Sequence, residues 1–245
     1  MDYEELIKAE TIIWQHRMAR PPGLVNRAVQ GVQHKINNAI PEKVHRIFTK
    51  AIKEVTRGVI FGAGFTTKAR SFEPDIRVME ARVEERIRFY SSSAAAEGAI
   101  TGFGGFLWGV ADFPLWLSLK MKMLFEIAAI YGIDMSNLQE RIYILHIFEI
   151  TFSSQKNRNR VLKEMKEWSM SKRQLPEDIN EFDWRRFQLE YRDNIDLAKL
   201  LQLIPGVGAV VGAYVNHKLT KKLGNYAMNA YRMRIMSDVS VIELP

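Results

Sequence analysis

Five side chains in this chain have the types and settings that chemistry could use: Asp112, Glu126, His146, Glu149 and Asn216. Each interrupts a largely apolar stretch, and a polar group removed from water must find a partner. His146 and Glu149 stand three residues apart, so a helix would place them on one face. With Glu126 on the preceding apolar segment, two carboxylates and an imidazole meet the minimum for general acid–base work. They would also serve as metal ligands inside a helical bundle. Bundle metal sites usually repeat a Glu-x-x-His pair, whereas this chain carries the pair once and in reverse order. The expectation is therefore a buried, hydrogen-bonded group, with a hydrolase or a metal-binding protein as the alternative.

Other chemical signatures fail on context. Gly206-Val207-Gly208-Ala209-Val210-Val211-Gly212 has the outline of a dinucleotide loop. Such a loop needs a strand before it, and Leu200 to Ile204 belongs to a helical pattern. No cofactor is expected. Phosphate-loop, zinc-protease and serine-hydrolase motifs are missing, and with no cysteine there is neither a disulfide nor a thiolate metal site. No catalytic residue can be named beyond the polar cluster.

The elements that would position these groups read as helices throughout. Tyr3 to Met18 has apolar residues at spacings of three and four, and Arg20-Pro21-Pro22-Gly23 ends it. Further helical stretches are expected over 25–39, 41–57, 76–90, 137–152, 157–172, 184–203 and 207–234. In the 76–90 stretch the charges Arg77, Glu80, Arg82, Glu84, Glu85, Arg86 and Arg88 suggest a solvated face. No segment alternates with period two, so the fold expected is all-α, a single-domain bundle over 1–236 with a tail over 237–245.

Two glycine-rich apolar segments stand apart. Between Ala94 and Gly132 only Glu97, Asp112, Lys120, Lys122 and Glu126 are charged, and six of the fifteen glycines fall there. Ala99 to Leu119 is long enough to cross a bilayer, but Asp112 inside it costs roughly 2.5–3.5 kcal/mol and Pro114 follows. Leu200 to Val215 is shorter and contains Pro205. Glycines recur four apart at Gly58 and Gly62, Gly98 and Gly102, Gly105 and Gly109, and Gly208 and Gly212, which lets helices approach closely. Buried helical hairpins are favoured over true spans.

The net charge is +7. Bases and acids are interleaved, and no nucleic-acid-binding signature is present, so nucleic acid is not an expected partner. The acidic, polar start of the chain is unlike a secretory signal. Lys218, Lys221 and Lys222 flank the second apolar segment and are the candidate contacts for an anionic membrane surface.

Two motif blocks carry a family resemblance. The first is Ala111-Asp112-Phe113-Pro114, then Glu126-Ile127-Ala128-Ala129 and Tyr131-Gly132. The second runs from Leu203-Ile204-Pro205-Gly206-Val207-Gly208-Ala209 through Gly212-Ala213 to Asn216, with Ala227, Arg232 and Arg234 beyond. Trp14 and Glu190-Tyr191-Arg192 also fit. In order and spacing the chain resembles the EcsC family over nearly its whole length. The motif positions are Asp112, Pro114, Glu126, Tyr131, Gly132, Pro205, Gly208, Gly212 and Asn216. The resemblance carries over neither a biochemical activity nor a catalytic residue. The family's namesake belongs to an ABC-transporter operon linked to secretion. The resemblance therefore implies a role at the inner face of the membrane. With the two glycine-rich apolar segments and the basic flanks, the expectation is a cytoplasmic, non-enzymatic accessory protein, peripheral at that membrane, beside anionic lipid or a transporter subunit; a helical-bundle enzyme is the alternative. A soluble interaction scaffold is the further alternative.

Overall fold

The computed structural model describes residues 2–20, 75–103, 105–153, 155–168 and 209–242, with Arg46, Lys50, 53–55, 57 and 58. Helix α1, Tyr3–Ala19, begins at a capping box: Asp2 accepts from the backbone while Glu5 reaches back to the Asp2 amide. Its buried stripe is Ile7, Thr11, Trp14 and Met18, spaced four, three and four. Leu6 and Ile13, apolar residues of the same helix, lie outside this stripe and are exposed.

Helix α2, Ile76–Phe103, and helix α3, Gly105–Ile130, pack against each other. Helix α2 continues well past the expected stop at Tyr90, because Ser91 to Ala96 contains no breaker. Helix α3 passes through Pro114 and stops at Gly132. Two hydrogen bonds close its end, from the Gly132 amide to Ala129 O at 3.2 Å and from the Ile133 amide to Ala128 O at 3.0 Å. This paired closure needs a left-handed residue just past the helix, and Gly132 supplies it with φ 75°. The sequence motif Tyr131-Gly132 is thus a helix stop.

Helix α4, Leu138–Phe152, is capped by Asn137, and helix α5, Gln155–Lys166, packs on it. The last described helix, α6, spans Ala209–Ile242, about 51 Å at 1.5 Å per residue. It runs on through 237–242, where the sequence suggests a tail, since neither glycine nor proline lies there to stop it.

Helix α6 organises the bundle. It is antiparallel to α2: Arg232 bonds Glu80, Gly224 sits on Ile87, and His217 lies against the Ser91 carbonyl. The closeness depends on a missing side chain, for a Cβ at Gly224 would lie 2.4 Å from Ile87 Cγ1. Helix α4 also runs antiparallel to it, with Tyr143 donating to the Ala230 carbonyl at 3.0 Å and Arg234 gripping Glu140 through two bonds. Helix α1 packs on it through Trp14 and Tyr226, edge to face at 5.7 Å. One continuous core results, holding Val83, Ile87, Leu124, Phe125, Tyr143, Leu223 and Tyr231 among many others.

The described residues contain helices and no strands, so the fold is all-α. Among them no helix is long and apolar enough to cross a membrane. The stretches expected to be helical over 25–39, 41–57 and 184–203 lie wholly or mostly outside the described residues, as do Gly62, Glu190-Tyr191-Arg192, Pro205 and Gly208.

Candidate functional site

The cations singled out in sequence come together on one side of α6. Tyr214, Lys218, Lys221, Asn225, Asn229 and Arg232 follow one another at three or four residues, a single helical stripe. Helix α1 lies beside this stripe and contributes Glu10, Ile13, Trp14 and Arg17; Glu84 of α2 completes the wall. Between them runs an open groove of about 760 Å³. Lys222 also lines it and stacks over the rings of Tyr226 and Phe152 at 5.6 and 5.7 Å. Lys218 lies 5.8 Å from the exposed Tyr214 ring.

The groove's charge is unbalanced. Five cations line it against two carboxylates, and both carboxylates are engaged: Glu10 accepts from Arg232 at 2.8 Å and Glu84 from Arg88 at 3.2 Å. Arg17, Lys218 and Lys221 have no carboxylate partner among the described residues. Beside these charges stand two of the most exposed large apolar side chains of the described residues, Ile13 at 58% and Tyr214 at 62%. The indole N–H of Trp14, only 6% exposed, has no acceptor among the described residues.

A buried ionic knot closes the inner end of the groove and fixes its walls. Glu80 accepts from Arg232 Nε at 2.6 Å and Nη2 at 2.7 Å, and from the Tyr3 hydroxyl at 2.6 Å. Arg232 turns its remaining nitrogen to Glu10. Three helices, α1, α2 and α6, are thereby tied at one point. Burial raises the Tyr3 phenol, and the bond to Glu80 raises it further, to about 12. Arg232 loses by burial but gains more from Glu80 and Glu10, so it is held in its charged form. Glu80 is therefore not on a solvated face: its side chain is 3% exposed. Sequence reading passed over it because it stands among charged neighbours. Its true setting shows only once Met79, Val83 and Ile87 are recognised as the core stripe beside it.

The five sequence candidates do not form one centre among the described side chains. Glu126 accepts from the Tyr90 hydroxyl at 2.8 Å and lies 3.9 Å from Arg86. His146 and Glu149 are brought together at 3.6 Å, as their spacing suggests, and His146 also meets Trp168 edge to face. Glu149 receives Arg160 at 2.5 Å and Asn157 at 2.8 Å. Burial works against its charge, yet His146, Arg160 and Asn157 outweigh it and hold the carboxyl below its usual range. Asn216, fully buried, accepts from the Trp116 indole at 2.9 Å, and the buried Lys120 stacks on the same ring at 3.9 Å. The side chain of Asp112 lies outside the described residues. No group of three or more His, Asp or Glu among the described residues is arranged to hold a metal. What the interior arrangement does is fasten helices: Glu126 joins α3 to α2, Glu149 joins α4 to α5, and Asn216 joins α6 to α3.

Comparison with known proteins agrees with the motif order. The sequence profile of the EcsC protein family matches residues 5–236. This chain belongs to the EcsC family. Protein EcsC of Bacillus subtilis (strain 168) is 37% identical to it over 241 residues, covering 98% of this chain and 99% of the relative. Uncharacterized protein YdbA of the same organism is 27% identical over 219 residues, covering 81% of this chain and 80% of the relative. No solved structure matches this EcsC-family chain.

Proposed function

We propose that this EcsC-family protein is a non-enzymatic accessory protein that docks peripherally on an anionic membrane surface through the α1–α6 groove. The observation that carries this is the convergence of Arg17, Lys218, Lys221 and Lys222 beside exposed Ile13 and Tyr214. Basic side chains near an anionic bilayer contribute about 1 kcal/mol each, so Arg17, Lys218 and Lys221 alone give about 3 kcal/mol toward reversible attachment. Exposed apolar side chains among them add a shallow foothold. The engagement of Glu126 and Glu149 in helix-to-helix bonds supports a structural role for the interior. The resemblance to a family whose namesake accompanies an ABC-transporter operon supports a transporter at that surface as the eventual partner.

The test is flotation with vesicles. The protein should rise with phosphatidylglycerol-rich vesicles at low salt, stay behind with pure phosphatidylcholine, and be released as salt shortens the reach of the charges to about 8 Å and below. Failure to rise with anionic vesicles at low salt would overturn direct docking.

A further inference from the structure

We infer that the α1–α6 groove is a binding site for one anionic phospholipid molecule, gripping its phosphate-bearing headgroup. This inference rests on the docking reading and deepens it: a charged patch attracts a bilayer, whereas a recess selects a molecule. Three features point to such an occupant. The groove, at about 760 Å³, falls within the roughly 300–1,000 Å³ of sites that enclose a small ligand. That is room for a headgroup, its glycerol and the first chain carbons, with the remaining chain outside.

Charge is the second feature. The two carboxylates on the groove are occupied by Arg232 and Arg88, while Arg17, Lys218 and Lys221 have no carboxylate among the described residues. An anion is what the walls lack. The third separates a lipid from a free phosphate ester. Ile13 and Tyr214 stand exposed beside the cations, where a free phosphate would leave them in water and acyl carbons would cover them.

Titration calorimetry of the full chain with dihexanoyl-phosphatidylglycerol, kept below its micelle concentration, tests this. Saturable one-to-one binding is expected. Dihexanoyl-phosphatidylcholine and glycerol 3-phosphate should each bind at least about tenfold more weakly. Lys218→Gln combined with Lys221→Gln should weaken the anionic lipid about 30-fold, from two charges near the phosphate. Ile13→Ser should weaken the lipid and leave glycerol 3-phosphate unchanged. All three positions are exposed, so an unchanged urea midpoint will show that these variants fold. If the protein floats with anionic vesicles but shows no saturable binding of the short-chain lipid, the inference is overturned and surface docking stands. If it binds the short-chain lipid without floating, the site stands and the docking reading falls. Equal affinity for glycerol 3-phosphate would make this a phosphate-ester site and overturn the lipid assignment.

Discussion

Replacing Glu80 with alanine removes the centre of the knot that joins α1, α2 and α6. In the native chain Glu80 accepts two bonds from Arg232, at 2.6 and 2.7 Å, and one from Tyr3 at 2.6 Å. Its side chain is 3% exposed and that of Arg232 is 8% exposed, so the cation left behind has little access to water. Breaking a buried pair by deleting one partner costs about 3–5 kcal/mol, because the surviving charge stays desolvated. Glu10, half exposed, still holds one nitrogen of Arg232, which places the loss at the lower end, about 3 kcal/mol. For a chain of this length that corresponds to a fall in Tm of about 6–12 °C. The assay is urea unfolding followed by circular dichroism, on the wild type, Glu80→Ala, the single changes Glu80→Met and Arg232→Met, and the two Met changes together. The paired change removes both charges and should cost clearly less than the two single changes added together. A loss below about 1 kcal/mol for Glu80→Ala, the size of an exposed ion pair, would refute the reasoning. It would mean that Arg232 reaches water or another acceptor as readily as it reaches Glu80.

Two further outcomes follow from the same core. The neutral Tyr3 phenol is the form the fold holds, so its stabilisation is complete below pH 10 and is lost as the pH rises from 10 toward about 12. Wild-type stability should therefore fall more steeply across that window than that of Tyr3→Phe. The ultraviolet titration difference between the two should show one phenol ionising near 12, and ionisation near 10 would contradict the bond to Glu80. Gly224→Ala should destabilise despite the better helix propensity of alanine, by about 1–3 kcal/mol, because the new methyl collides with Ile87. In an Ile87→Ala background, which removes the colliding γ and δ carbons, Gly224→Ala should cost less in thermal unfolding than it does in the wild type, whereas independent, additive effects would show that α2 simply moves away.

Local signals in the sequence were a good guide to local structure. Asp2 and Glu5 mark the start of α1, Gly132 marks the end of α3, and Asn137 marks the start of α4, because caps act through neighbours a few residues away. The pairing of His146 with Glu149 was visible for the same reason. What spacing cannot reveal is which helices meet. Glu80 and Arg232 stand 152 residues apart, and their pairing depends on the antiparallel register of α2 and α6, so Glu80 looked like one more surface charge. The groove divides likewise. Lys218, Lys221 and Lys222 were legible as a basic stripe, while Arg17, Trp14 and Ile13 join them only because α1 lies alongside. Exposure of Ile13 follows from a one-residue rotation of the α1 stripe onto Thr11, whose hydroxyl is satisfied by the Ile7 carbonyl at 2.7 Å and can therefore be buried.

The position of α6 in the chain has a consequence for how this protein comes into being. Helices α1, α2, α3 and α4 each place part of their apolar surface against α6, and of the described helices it is the last to leave the ribosome. Until residues 209–242 emerge, the earlier helices have no central strut on which to settle, and the knot at Glu80 has no arginine. Assembly of the bundle thereby waits for α6, with contacts that span a long stretch of chain and apolar faces uncovered in the meantime. A nascent chain halted before 209 would lack this strut, and the α1–α6 groove forms only when α6 takes its place beside α1.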